Sequence, residues 1–160
     1  MIHYNQRNVM VRDSELSDID AMHDRMRAEE IAEVWASYHM TPREALEASY
    51  KSSLVRLTFL YKGEVAGMFG IRVDNLLAKD AVVWLLTTDL IHKMRIRFLK
   101  LSKYFIGYFL RLYPLIHNFV DDRNTACIRW LKWCGAFVST PTRFGVDGLP
   151  FRYFMFEGEK

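Results

Sequence analysis

The side chains of this 160-residue chain that could do chemistry are few and widely spaced. Cys127 and Cys134 are its two cysteines. Either would need a neighbouring histidine and a polarised site to act as a nucleophile; both read instead as small apolar groups on the inner face of one helix. Seven residues apart on a helix is about 10 Å along its axis, so they cannot pair, and a reducing compartment is expected. The five histidines His3, His23, His39, His92 and His117 show no pair at ligand spacing and no cysteine partner, so no metal is expected. His117, inside the apolar run Leu115 to Val120, is either a core histidine satisfied by backbone or a residue facing a groove. Glu29, Glu30 and Glu33 lie close together; a carboxylate there could act as a base through water, against the plainer reading of a solvated helix face. Trp130 and Trp133 share a helix face, with Trp133 a candidate for protein contact.

Composition bounds what these residues can serve. With 51% hydrophobic and 26% charged residues, eight glycines and four prolines, the chain can bury a core and is not disordered. One domain over 1–160 is expected. The most apolar stretch, Tyr104 to Val120, is broken by Arg111 and Pro114, so no membrane span is expected. Met1 to Arg7 lacks the apolar region of a signal peptide, so export by that route is not expected either.

The net charge of +3 divides unevenly. Residues 1–50 carry ten acids against five bases, the remainder nine acids against seventeen. Between Lys93 and Arg111 stand Lys93, Arg95, Arg97, Lys100, Lys103 and Arg111 with no acid. Such a face meets an anionic ligand or partner, or balances the acidic half of its own molecule. Lys100, Lys103, Arg111 and Trp133 are the candidate partner-binding residues. Nucleic acid is not expected, because no recognition motif accompanies the charge.

The elements that must position these groups follow from periodicity. Asn8 to Arg12 reads as a strand, and Ser17 with Asp20 as a helix start. Ile19, Met22, Met26, Ile31, Val34 and Trp35 then predict one amphipathic helix. Thr41-Pro42-Arg43-Glu44 is a capping box with proline at the first helical position, opening a short helix to about Ser49. Leu54 to Leu60 and Glu64 to Val73 form a hairpin around Gly63. Ala81 to Thr87, apolar on both faces, predicts a central strand covered by helices. Thr88 or Asp89 caps a long helix over 91–112, and Pro114 ends it. Leu115 to Val120 is a strand, Asn124 caps a helix to Cys134 closed by Gly135, and Ala136 to Ser139 and Phe151 to Phe156 are final strands. The predicted order is β-α-α-β-β-β-α-β-α-β-β, a mixed α/β sheet of about six or seven strands flanked by helices.

That order, with Asn124 to Phe137 and its eleven-residue step from Asn124 to Gly135, resembles the GNAT N-acetyltransferase superfamily. The segments Trp84 to Thr88, Arg97 to Lys103, Asn118 to Asn124 and Arg129 to Trp133 resemble more narrowly the acetyltransferase-like and internal virion proteins of tailed phages. The resemblance implies two neighbouring strands, Ala81 to Thr87 and Leu115 to Val120, that run parallel and splay at their C-terminal ends around an acyl-CoA. Leu86, Thr87, Thr88, Lys93, Arg95, Arg97 and Asn124 would then meet the cofactor, and the acidic helix would face an amine substrate.

Two departures qualify the implied activity. An active member carries a glycine-containing loop after the first of those strands, where backbone N–H groups approach pyrophosphate. This chain has His92 to Phe98 there and no glycine between Gly70 and Gly107. The position seven residues after the helix-starting Asn124, where many members place a proton-donating tyrosine, is Leu131. No catalytic residue and no cofactor are therefore expected. The resemblance then implies a virion or assembly component, partnered by other phage proteins, in the host cytoplasm during infection and incorporated in the particle. An acetyl-CoA-dependent N-acetyltransferase with an atypical pyrophosphate loop, or a host-directed binding protein, are the alternatives.

Overall fold

In the computed structural model, which describes residues 1–159, the chain opens on a reversal that its composition hides. Arg7 and Asn8 both lie at positive φ, 49° and 67°, the geometry of a two-residue hairpin turn whose twist matches its strands. The predicted first strand, β2 (Val9–Asp13), is therefore preceded by a further one, β1 (Ile2–Gln6). The next helix begins earlier than Ser17. Glu15 is its N-cap, Asp18 supplies the returning carboxylate, and α1 spans Leu16–Met22. Nor does it run on through Trp35: Met26 bridges to Thr88, the Arg27 N–H donates to the Thr87 carbonyl at 3.1 Å, and α2 (Ala28–Tyr38) starts only after this tether. By contrast Thr41, Pro42 and Glu44 open α3 (Pro42–Ser52) by the reciprocal capping that the sequence predicts.

The strands β3 (Ser53–Tyr61), β4 (Glu64–Arg72), β5 (Asp80–Thr87), β6 (Leu115–Asp121), β7 (Phe137–Val138), β8 (Thr142–Phe144) and β9 (Leu149–Glu157) complete one sheet in the order β1-β2-β3-β4-β5-β6-β9-β7, with β8 also on β9. Among the described residues the nine strands exceed the expected six or seven because β1 and the β8 arm of the last hairpin carry no alternating apolar signal. Every strand pairing is antiparallel except β5 with β6. After β5, Thr88 caps a 3₁₀ run over Asp89–Met94, and α4 spans Arg95–Leu112. Asn124 caps α5 (Thr125–Trp133), accepting from the Cys127 N–H, and Gly135 at φ +99° closes it.

Apolar side chains bury both sheet faces. Met22 and Leu46 pack with Met68 and Leu86, while Phe105 and Phe109 of α4 and Leu131 of α5 pack with Phe59 and Phe69. Gly70 is where the sheet is tightest. A Cβ there would stand 2.0 Å from the Val55 carbonyl oxygen, beside the register shift between Ser53 and Val55. Gly70→Ala is expected to cost about 3 kcal/mol through overpacking, read as a lower urea midpoint at unchanged slope. Gly63→Ala, with open space around it but φ at +82°, should cost only about 1 kcal/mol.

Candidate functional site

A parallel pair that splits leaves backbone donors and acceptors to be satisfied by something else. The strands β5 and β6 pair only where Asp80, Ala81 and Val82 face Leu115, Ile116 and His117, and then diverge. Side chains take over from the ladder. The Asn118 amide donates to the Val83 carbonyl at 2.7 Å. Glu30 accepts from the Thr87 N–H at 2.7 Å and from its hydroxyl at 2.8 Å, and Glu33 accepts from the Asp121 N–H at 2.6 Å. Three residues apart, the two carboxylates share one face of α2 and hold one splayed strand end each.

Between the strand ends lies a cleft of about 450 Å³. Leu85, Phe119, Trp130 and Phe154 give it apolar walls; Arg27, His92, Arg95 and Asn118 add polar groups. The half-buried middle of β5, expected to be covered by helices, is one of those walls. Trp130 stacks on Phe98 with ring centroids 5.4 Å apart, and its indole N–H is buried without an acceptor. The β8–β9 turn closes the outer side. Gly145, at φ +75°, brings the Val146 N–H to the Ser37 carbonyl at 3.1 Å, and any Cβ at Gly145 would meet Ala36 and Ser37 backbone at 2.7 Å. Phe144 stacks on Phe119 at 4.1 Å, and His39 bonds Asp147 at 2.7 Å.

Burial sets the electrostatics. It pushes the Glu30 carboxyl up to about 7, against the opposing pull of the Thr87 donors and Arg27. Burial, helped by Asp121, pushes Glu33 up to about 7 against the Asp121 N–H and Arg123. Burial and then the charges of Glu33 and Glu30 raise the Cys127 thiol far above its ordinary range, and burial takes Cys134 up to about 11. Both thiols stay protonated at neutral pH, which removes them as nucleophiles. The arrangement can exchange protons near neutrality, but its carboxylates are engaged first in holding strands.

Of the residues singled out from the sequence, Leu86, Thr87, Arg95 and Asn124 line the cleft. Thr88 is buried beneath it, its hydroxyl bonded to the Val65 and Ala66 carbonyls. Lys93 is exposed on the 3₁₀ run, and Arg97 donates to the Tyr4 hydroxyl at 2.9 Å. Lys100, Lys103, Arg111 and Trp133 lie away from the cleft. The solvated-face reading holds for Glu29, exposed beside Arg27, but not for Glu30, which is buried. His117 is satisfied by a carboxylate rather than backbone, 2.8 Å from Asp80, and faces a separate cavity of about 160 Å³. Sequence reading missed the holding roles of Glu30 and Glu33, together with Asn118; the spacing of the two glutamates was the only signal.

Among the described residues no helix is long and apolar enough to cross a membrane, and no cluster of His, Cys, Asp and Glu could hold a metal. Residues 77–141 match the family described as bacteriophage T7 probable scaffold protein Gp13. No curated protein matches the chain. Solved structures resemble it over nearly its whole length. One is the ribosomal-protein N-acetyltransferase RimL in complex with coenzyme A, at TM-score 0.73 and 10% identity, covering 99% of this chain and 98% of that one. Another is a GNAT-family acetyltransferase from Bacillus anthracis, at TM-score 0.70 and 10% identity over all of both chains. A third is the spermidine N-acetyltransferase of Vibrio cholerae in complex with CoA and spermine, at 0.62 and 14%, covering 94% and 95%. The chain has the GNAT fold.

The raised Glu30 carboxyl has a thermodynamic consequence. Its folded value of about 7 lies above the unfolded value near 4.5, so its contribution to stability is fully present below pH 4.5 and is lost as pH rises through 7. Glu30→Gln keeps an acceptor for the Thr87 N–H without the charge. We expect it to match the wild type near pH 4 and to exceed it by about 3 kcal/mol at pH 8. Chemical denaturation at the two pH values measures this, and an equal difference at both would refute the linkage.

Proposed function

We propose that this chain is a GNAT-fold phage assembly protein, of the scaffold or internal virion type, that does not carry out acetyl transfer. The observation that carries this reading is the segment after β5. A pyrophosphate cradle needs successive free N–H groups at a helix start, with no side chains in the way. Here the chain enters a 3₁₀ run, Asp89–Met94, whose N–H groups turn back onto carbonyls three residues earlier. Ile91 and Met94 are buried beneath it, and α4 begins only at Arg95. These residues do not fit a pyrophosphate. Thr87 gives its N–H and hydroxyl to Glu30, and the position of the missing tyrosine is Leu131, buried in the core. The match to the phage scaffold family over 77–141 supports the assembly role. Its partners are then other virion or assembly proteins, met in the infected host cytoplasm and within the particle.

A second reading, an acetyl-CoA-dependent N-acetyltransferase in which side-chain cations replace backbone donors, draws on one observation: Arg95 lines the cleft in which the Glu33 carboxyl is pushed up to about 7. Calorimetric titration with acetyl-CoA separates the two. The assembly reading expects a dissociation constant weaker than ~100 µM, less than about 6 kcal/mol of binding free energy. Low-micromolar binding that is lost in Arg95→Ala would overturn it in favour of the enzyme. Mass spectrometry of purified particles tests the location: finding the chain supports a virion role, and its absence confines the protein to the host.

A further inference from the structure

The cations of this molecule fall into two populations. In the N-terminal half, Arg12, Arg25, Arg27 and Arg43 each sit within 4 Å of a carboxylate: Asp18 at 2.8 Å, Glu64 at 3.3 Å, Glu29 at 3.7 Å and Asp20 at 2.7 Å. Four of the five arginines there are thus already paired with carboxylates. Neither α4 nor α5 contains an Asp or Glu, and among the described residues no cation on either helix makes an ion pair. Balance against the acidic half, the plainer expectation for this face, is not what the side chains do.

The unpaired cations form a surface together with large exposed apolar groups. The Lys103 ammonium lies 4.0 Å over the Trp133 ring, which joins the outer faces of α4 and α5 into one. Lys100, Lys103, Tyr104 and Arg111 recur at helical spacing on α4, and Arg129, Lys132 and Trp133 on α5; all are exposed. Ile96 is 71% exposed one turn before Lys100, and Tyr104 and Trp133 are about half exposed. Gly107 falls on the same stripe of α4. Glycine inside a helix costs about 1 kcal/mol relative to alanine, and nothing in the fold demands it here: a Cβ at Gly107 would meet only the Arg111 guanidinium, at 3.9 Å. The result is a notch between cations where another backbone can approach closely.

We infer that the joint outer face of α4 and α5 docks an acidic, apolar-striped helical segment of another protein, with its carboxylates on Lys100, Lys103, Arg129 and Lys132, its apolar stripe on Ile96 and Trp133, and its backbone in the notch at Gly107. Charge complementarity fixes the sign of the partner. The exposed isoleucine and tryptophan favour protein over nucleic acid, whose phosphates would leave them in water. A second copy docking through the same face is disfavoured as the occupant because neither α4 nor α5 carries an acid, so two such faces would repel each other. The inference stands on α4 and α5 alone and does not depend on what the cleft binds.

The test uses the full chain and a synthetic Glu/Leu/Ala helix as long as the 18-residue α4, with an isomer of scrambled order and a DNA duplex as comparisons. Binding is followed by Trp133 fluorescence, isolated by difference from Trp133→Phe. We expect the ordered peptide alone to bind, with affinity falling about tenfold or more between roughly 0.05 and 0.2 M salt. Lys100→Glu with Lys103→Glu should lose binding at unchanged melting temperature. Gly107→Leu should lose it while melting no lower than wild type, a result that damage to the fold cannot imitate. Lys51→Glu with Lys62→Glu, away from the face, should bind as wild type. The inference is overturned by absence of ordered-peptide binding, by equal binding of the scrambled peptide, by undiminished binding in Gly107→Leu, or by tighter binding of DNA through the same lysines. Acetyl-CoA titration of the same samples keeps the two proposals apart. Tight cofactor binding with intact peptide docking removes the assembly reading only; lost docking without cofactor binding removes this one only.

Discussion

The splay of β5 from β6 is the constraint on which the rest of this structure depends. A sheet can open at its centre only if the strand edges thereby exposed are satisfied, because each unmet buried backbone group costs ~1–3 kcal/mol. Here three side chains replace the missing ladder: Glu30 on Thr87, Glu33 on Asp121 and Asn118 on Val83. The two glutamates lie one turn apart on α2, so a single helix spans the opening like a cross-brace. Everything else in the cleft follows from that brace. It fixes the distance between the strand ends, brings Arg27 to the cleft wall, and places two carboxyls where burial raises them to near neutrality.

Much of this frame was legible in the sequence, where the signal was local. Thr41, Pro42 and Glu44 announce α3 because capping is chemistry between residues three apart. Asn124 and Gly135 bracket α5 for the same reason. The missed features depend on partners far along the chain. Glu30 reads as one more acid on a wet helix face until Thr87, 57 residues away, offers it two donors. The break after Met22 comes from a bridge between Met26 and Thr88, and no breaker residue marks it. The turn at Arg7 and Asn8 places arginine at positive φ, where glycine is the usual signal, so β1 escaped notice. Registers and braces of this kind are properties of the assembled sheet.

The distribution of charge tells a similar story at larger scale. The bare count, −5 against +8, suggests two halves drawn to each other. The side chains show instead a half in which four of five arginines are paired with carboxylates, as Arg12 is with Asp18 and Arg43 with Asp20, beside two helices whose cations make no ion pair among the described residues. In the first half the arginines are structural, and Arg12 reaches a buried Asp18 that also accepts from Thr58. On α4 and α5 no cation is in an ion pair among the described residues; Arg97 bonds the Tyr4 hydroxyl and Lys103 lies over the Trp133 ring instead. Composition cannot separate these cases, because it counts charges without regard to their neighbours.

The outer rim of the cleft carries one more implication, for the order in which the molecule comes together. The helix α2 holds β5, β6 and the β8–β9 turn through contacts that close loops of 57, 88 and 108 residues. Such closures lose the most chain entropy and gain nothing until both ends are already placed, so they belong to the slow, late part of folding. The hairpins β1–β2 and β3–β4, by contrast, zip across two-residue turns. An unfinished molecule would thus carry a formed sheet beside an unanchored acidic helix, its central seam open to water and to other strand edges. The outer rim closes only when the last hairpin arrives, which makes the final strands, through Phe144 and Phe154, the timekeepers of the cleft they help to wall.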